Sequence, residues 1–403
     1  MAHRATPHHP VYIARGTLLK IAHLADLHLG YRAYHRVNAR GGNLREADVA
    51  DAFRQAVNRI IEVRPDLVLV AGDVFHTVRP GNNAIADAFR QFSLLADRLP
   101  DTPVVMIAGN HDSPRSADTG NILNLFREID GVRVVCDECR SIRLPEIDTS
   151  ILCLPHVALA GGEEVAMEPD PGSKHNVLML HGTIEGETAD AKLRYMSEYG
   201  GAVIPEGKID PSMWDYVALG HYHLCEELAP NMWYSGGLER TSANIWFERE
   251  EKGFLVFSTR SGRAEFEPVE TRAMIDLPRI EAAGLGAEEL DETIRTVVER
   301  IPDGLRGKIV RLVIHDAPRA VVRELNHKRI REWKSEAVHF HLDARPPEAR
   351  RRTGAHAPVR RQTLQEQVAS YLRKDWKLRD SRVEKERLVE MGVAYVDRTA
   401  EEG

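Results

Sequence analysis

Aspartate, asparagine and histidine recur just beyond short apolar runs, and this recurrence is where the sequence could do chemistry. Residues 18–24 lead into Asp26 and His28, and residues 67–71 into Gly72, Asp73 and His76. Residues 104–108 lead into Gly109, Asn110, His111 and Asp112. Residues 177–180 lead into His181, and residues 216–219 into Gly220, His221 and His223. Carboxylate, amide and imidazole without thiolate suit divalent ions such as Mn²⁺, Fe²⁺ or Zn²⁺, and argue against a cysteine-built zinc cage. An aspartate can bridge two cations, and a pair about 3.5–4 Å apart can clamp and activate a water. Taken singly, each histidine is more often a satisfied polar residue than a ligand, and Gly-Asp or Gly-Asn is merely a turn signal. Five successive recurrences are not explained that way.

Such ligands need elements to carry them. The apolar runs read as buried strands. Between the first two, residues 44–63 show helical periodicity, with Val49, Phe53, Val57, Ile60 and Ile61 sharing a face, and residues 84–99 repeat the pattern. Alternating strands and helices imply parallel pairing and an α/β sandwich. Ligands at the carboxyl ends of its strands converge on a crevice. Gly72, Gly109 and Gly220 are expected to let the chain turn straight after a strand.

The bulk properties set limits. With 403 residues the chain exceeds one compact core, and 43% hydrophobic residues argue against wholesale disorder. No apolar run has the length of a membrane span, and the polar start, with His3, His8 and His9, has no signal-peptide core. The expectation is a loose tail over residues 1–17 of a cytoplasmic protein. Cys136 and Cys139 form a C-x-x-C pair with no second pair to complete a zinc site, and Cys153 and Cys225 read as reduced core residues. The net charge of −7 does not announce a nucleic-acid binder, although Arg350, Arg351, Arg352, Arg360 and Arg361 cluster among prolines.

Read in order, D-L-H at 26–28, G-D-V-F-H at 72–76, G-N-H-D at 109–112, H-G at 181–182 and G-H-Y-H at 220–223 resemble the signature of calcineurin-like metallophosphoesterases, over residues 18 to 260. The opening H-L-A-D-L-H-L-G-Y, Y-S-G-G-L-E-R at 234–240 and E-K-G-F at 251–254 are similar to the SbcD family and its Mre-type counterparts, nucleases of double-strand-break repair. Protein Ser/Thr phosphatases carry a different second motif. The resemblance implies a metallophosphoesterase β-sandwich flanked by helices, with a small α/β cap domain and a C-terminal helical tail. It implies one ion held by Asp26, His28, Asp73 and His223, and another held by Asp73 as bridge with Asn110, His181 and His221. Mn²⁺ is the first expectation for both. His111 would stand beside the scissile phosphate, Asp112 would fix its tautomer, and His76 would lie near the phosphate. Tyr31 and His35 fall where the family touches the DNA backbone.

From about residue 274 the pattern becomes β-α-β-α-β: strand 275–280, helix 287–301, strand 308–314, helix 320–334, strand 338–342. The domains expected are a nuclease domain over 18–270, a DNA-positioning cap over 271–345, a basic Pro/Arg linker over 346–362 and helices over 363–403. The resemblance assigns those last helices to a coiled-coil ABC ATPase of the SbcC or Rad type. It also implies a homodimer through apolar faces that include Phe89, Phe92, Leu123 and Phe126. The function it implies is exonuclease and endonuclease action on double-stranded ends and single strands of DNA, with no membrane partner. A small-molecule phosphodiesterase on the same scaffold, or a mainly structural DNA-end tethering subunit, are the competing readings. The cap and tail count against the first, and the complete ligand set against the second.

Overall fold

The computed structural model describes residues 18–114, 116, 119–161, 165–185, 201–205, 207–347, 364–374 and 385–392. The N-terminal tail and most of the arginine-rich stretch lie outside them. Among the described residues no helix is long and apolar enough to cross a membrane.

The unbroken apolar runs follow from strands covered on both faces. In β2 (Leu67–Ala71), Leu67, Leu69 and Ala71 enter the layer between two sheets, while Val68 and Val70 face helices. The first sheet joins β1 (Lys20–Leu24), β2, β3 (Val104–Ile107) and β4 (Val132–Val135) in parallel. Antiparallel β13 (Lys252–Ser258) and β14 (Arg263–Val269) extend it beyond β1. The second sheet contains β5 (Arg140–Leu144), β6 (Thr149–Leu154), β7 (His175–His181), β10 (Tyr216–Gly220), β11 (Glu226–Ala229) and β12 (Met232–Tyr234). Its order is β11-β12-β10-β7-β6-β5. A short ribbon of β8 (Thr183–Ile184) and β9 (Val203–Ile204) stands apart from it. Ile21, Leu69 and Ile107 of the first sheet pack with Ile151, Val177, Met179 and Ala218 of the second. The five ligand-bearing strands therefore divide three and two between the layers of one sandwich.

Helix α1 (Leu44–Val63) starts where the Asn43 side chain accepts from the amides of Arg45 and Glu46. It stops at Arg64, left-handed at φ 50°, just before Pro65. Its stripe of Val49, Phe53, Val57 and Ile60 meets Ala88, Phe92 and Leu95 of α2 (Asn82–Arg98) on the outer face of the first sheet. Phe92, Leu123 and Phe126 are at most 1% exposed inside this layer and have no surface to offer a second subunit. On the faces expected for a dimer, around residues 84–99 and 122–129, Ile85, Phe89, Leu94 and Ile122 are half-buried and Leu125 is exposed. A five-residue helix α3 (His156–Ala160) follows β6.

A separate sheet is built around β17 (Ile309–His315), which pairs in parallel with β15 (Met274–Asp276), β16 (Ile280–Glu281) and β18 (His339–Ala344). Helices α4 (Ala287–Glu299), α5 (Arg319–Glu324) and α6 (His327–Glu336) enclose a second core of Leu290, Ile294, Val298, Leu312 and Phe340. The strand expected over 275–280 is two short strands, because Pro278 has no amide to keep a ladder going. The helix expected over 320–334 is also two, restarted where the Asn326 side chain caps the Arg329 amide. This unit is tied down by Arg36, whose guanidinium donates to the carbonyls of Lys334, Ser335 and Ala337 at the end of α6. Tyr34 stacks on His339, and Arg311 lies over the Trp246 ring.

Residues 348–403 form a second unit. In it, α7 (Leu364–Lys374) meets a helix over 385–392. A Cβ on Gly392 would press on Leu372 and Val368, and Val389 is buried. The two helices are short. They cover each other in part, leaving Tyr371 and Met391 exposed.

Candidate metal centre

The carboxyl ends of β1, β2, β3, β7 and β10 deliver all the expected ligand side chains to one place. Among the described residues, two fully buried groups of side chains come within ligand distance of one another: Asp26, His28 and His223, and Asp73, His181 and His221; a third, His28 with the half-buried His76 and His111, adjoins the first. The six residues of the first two groups are almost fully buried. Nε2 of His28 faces Nε2 of His223 at 3.0 Å. Asn110 Oδ1 lies 3.0 Å from His181 Nε2 and 3.1 Å from His221 Nδ1, joining the second group. Asp73 stands between the groups, its Oδ2 3.3 Å from His181 Nε2 and 3.9 Å from His28 Nε2. That is the position a bridging carboxylate requires.

Backbone strain marks the same residues. Asp26 (φ 52°), His28 (φ 46°), Asp73 (φ 52°) and His221 (φ 109°) all hold positive φ, each at a cost of about 1–3 kcal/mol. The surrounding hydrogen bonds hold them there: the Asp26 carboxylate accepts the His221 amide, and Asp73 Oδ1 accepts the His111 amide at 2.8 Å. Of the three turn glycines, only Gly72 (φ 92°) needs its conformational freedom. Gly109 and Gly220 are needed for space, since a Cβ would overlap Asp73 in one case and the Ala71 carbonyl oxygen in the other.

The electrostatics are those of a cation site. Burial pushes the Asp26 carboxyl up to about 6. Burial also opposes ionisation of Asp73, but His181, His28 and His111 outweigh it and hold that carboxyl well below its usual range. Burial likewise opposes protonation of His181, yet Asp73 and Asp26 lift it to about 9. Burial keeps His28 neutral and brings His221 down to about 3. Buried carboxylates are thus balanced by protons on imidazoles, and neutral imidazole nitrogens face the same space. This donor set fits two divalent cations of borderline softness, which would replace those protons.

His76 and His111 stand beside the groups, their rings stacked 5.3 Å apart. Nδ1 of His111 lies 2.7 Å from the His76 carbonyl oxygen, which can only accept, so this nitrogen carries the hydrogen. The expected tautomer role of Asp112 is corrected by this contact. Asp112 is fully buried, and its carboxylate accepts from the amides of Val74, Phe75 and Gly109, stapling the two ligand loops together. Burial, and Asp73 close by, raise it to about 7. A cavity of about 650 Å³ opens onto His76 and His111, with walls that include Tyr31, Tyr34, Trp246, His339 and His341. The Tyr31 ring meets His76. His35 is exposed and is not among the residues lining this cavity, where its neighbour Tyr34 is.

The sequence reading missed two buried ion pairs. Glu239, inside Y-S-G-G-L-E-R, forms a buried ion pair with Arg45 at 2.9 Å. Lys252, inside E-K-G-F, is buried against Glu248 and the backbone of His223. Spacing four residues apart hints at the Glu248–Lys252 pair, but only burial separates it from an ordinary surface pair. Cys136 is buried, with its thiol raised to about 12 by burial and Asp137, and all four cysteines are free. Cys153 is a core residue, whereas Cys225 is only half-buried.

Fold, ligand strands and charge balance together define a metallophosphoesterase. The chain belongs to the calcineurin-like phosphoesterase family, whose sequence model matches residues 19–225. Among its relatives are proteins named DNA double-strand break repair protein Mre11. That of Methanocaldococcus jannaschii is 27% identical over 268 residues, 62% of this chain and 66% of the relative. That of Archaeoglobus fulgidus is 29% identical over 292 residues, 64% of this chain and 61% of the relative. That of Sulfurisphaera tokodaii is 30% identical over 205 residues, about half of each chain. The chain therefore spans less than two thirds of the length of each of these relatives.

Proposed function

We propose that this protein is a metal-dependent DNA nuclease that hydrolyses phosphodiesters as the nuclease subunit of an SbcCD-type break-repair complex. The observation that carries the reading is the pair of buried Asp/His groups with Asp73 between them and His111 and His76 at their edge. The repair proteins among the chain's relatives support DNA as substrate. Asp26, His28, Asp73 and His223 would hold one ion, and Asp73, Asn110, His181 and His221 the other. Two divalent cations there would polarise the phosphate and lower the pKa of an attacking water.

The chain's own residues supply the rest. With Nδ1 donating to the His76 carbonyl, His111 presents Nε2 as the nitrogen that exchanges a proton with the leaving oxygen. Asp112 holds the Asp73 and Asn110 loops at one spacing and so preserves the bridge. The aromatic and histidine walls of the cavity leave room for a nucleotide strand beside His111. The 274–344 sheet acts as the cap, the helices over 364–392 as the ATPase-binding region, and the protein works as a homodimer. Tyr31 contacts the DNA backbone. Mn²⁺ is the proposed ion.

The test is hydrolysis of linear double-stranded DNA by the purified protein with Mn²⁺, with Mg²⁺ and with EDTA, alongside bis-p-nitrophenyl phosphate. Manganese-dependent DNA degradation abolished by EDTA is expected. Turnover of the small diester with DNA left intact, single strands included, would overturn the nuclease reading in favour of a small-molecule enzyme.

A further inference from the structure

Behind the Asp26–His28–His223 group lies an ion pair for which the proposed chemistry has no use. Glu248 and Lys252 are both at most 2% exposed, four residues apart in sequence, and directly paired. Placing two charges there is costly, and the same volume filled with apolar side chains would serve stability as well or better. Its surroundings show what it does instead. Lys252 Nζ donates to the backbone carbonyl of His223 at 2.6 Å, and the Gly237 amide reaches the same oxygen at 3.2 Å. Glu248 Oε2 takes Lys252, while Oε1 accepts the Ser242 amide at 2.9 Å and lies 3.8 Å from His223 Nδ1. Thr241 Oγ1 is 3.4 Å from the same ring nitrogen. On its other side the ring turns Nε2 toward His28.

We infer that Glu248 and Lys252 are positioning residues for His223: Lys252 anchors its backbone, and Glu248 attracts the Nδ1 hydrogen so that Nε2 stays free to bind a cation. A carboxylate behind a ligating histidine sets its tautomer and orientation, and its loss typically lowers metal affinity about 10–100-fold. The inference rests on the metal reading of the site and deepens it for one of the two groups. Lys252 allows the carboxylate to remain charged in a dry position, and together they restrain a ligand carried on the irregular segment after β10.

The experiment is titration of the metal-free full-length protein with Mn²⁺, following free ion by electron paramagnetic resonance. Wild-type protein is expected to take up two ions. In Glu248→Gln one of them should weaken about 10–100-fold, with the other within about threefold. Nitrogen NMR of the metal-free variant should show His223 losing its preference for hydrogen at Nδ1. If Glu248→Gln fails to fold because Lys252 is stranded, Glu248→Gln/Lys252→Met removes both charges at similar volume and should show the same selective loss. The control is Arg45→Met/Glu239→Gln, a buried pair that touches no ligand; it should lower thermal stability and leave both ions bound as before. Two ions bound at wild-type affinity in the Glu248 variants would overturn the inference, as would equal weakening in the control. Wild-type protein that takes up no Mn²⁺ would overturn the metal reading itself, a distinguishable result.

Discussion

Replacing Arg45 by Met tests how α1 is locked to the segment behind the site. The Arg45 guanidinium is 2% exposed and donates through Nη1 to Glu239 (2.9 Å) and Asp48 (2.8 Å), and through Nη2 to the Arg240 carbonyl (2.9 Å). Methionine keeps most of the aliphatic stem, so the loss is chiefly electrostatic. Asp48 retains Arg272, which reaches both of its oxygens. Glu239 does not fare as well: it stays buried, with the Arg240 amide as its near donor and the Arg240 guanidinium 3.9 Å away. Stranding one partner of a buried pair costs about 3–5 kcal/mol. At about 1.4 kcal/mol per tenfold, the unfolded fraction rises by roughly two to three and a half powers of ten. Adding Glu239→Gln removes the stranded charge, and the double variant should recover about 2–3 kcal/mol of that loss. Urea unfolding of the four metal-free proteins at one pH gives the cycle. A cost below about 1 kcal/mol for Arg45→Met, or a coupling energy below about 0.5 kcal/mol, would refute the reasoning.

Three further outcomes are expected. His111→Ala should lower DNA cleavage about 10²–10⁴-fold with Mn²⁺ uptake near normal; loss of bound ion would make His111 a ligand instead. His181 in the metal-free protein is raised from 6.5 to about 9 by Asp73 and Asp26 against the effect of burial. Its stabilising contribution is therefore full below about pH 6.5 and lost as pH rises through about 9. Metal binding near pH 8 should also release a proton. Calorimetry in buffers of different ionisation enthalpy reads that proton, and buffer-independent heats would contradict the assignment. Truncation after Arg345 should spare Mn²⁺-dependent nicking of single strands and abolish capture of the coiled-coil ATPase; unchanged ATPase affinity would remove the proposed role of the tail.

The five strands that end in Asp, Asn or His, those residues themselves and the two long helices were legible in the sequence, because each depends on local order along the chain. A doubly covered strand needs an apolar run, a helix on a sheet needs a stripe like Val49–Phe53–Val57–Ile60, and a ligand at a strand end follows its run directly. What joins segments distant in sequence was not legible. Which sheet each ligand strand enters depends on pairing partners such as His181 opposite Gly220. That Asp112 staples loops and leaves the tautomer of His111 to the His76 carbonyl depends on how two loops turn in space. The apolar character of Phe92, Leu123 and Phe126 could not tell a subunit interface from a core, since both bury the same side chains. Nor could charge alone separate Glu248 and Lys252 from surface residues. Burial is a property of the assembled fold, and it is burial that turns an ordinary charge pair into a support for His223.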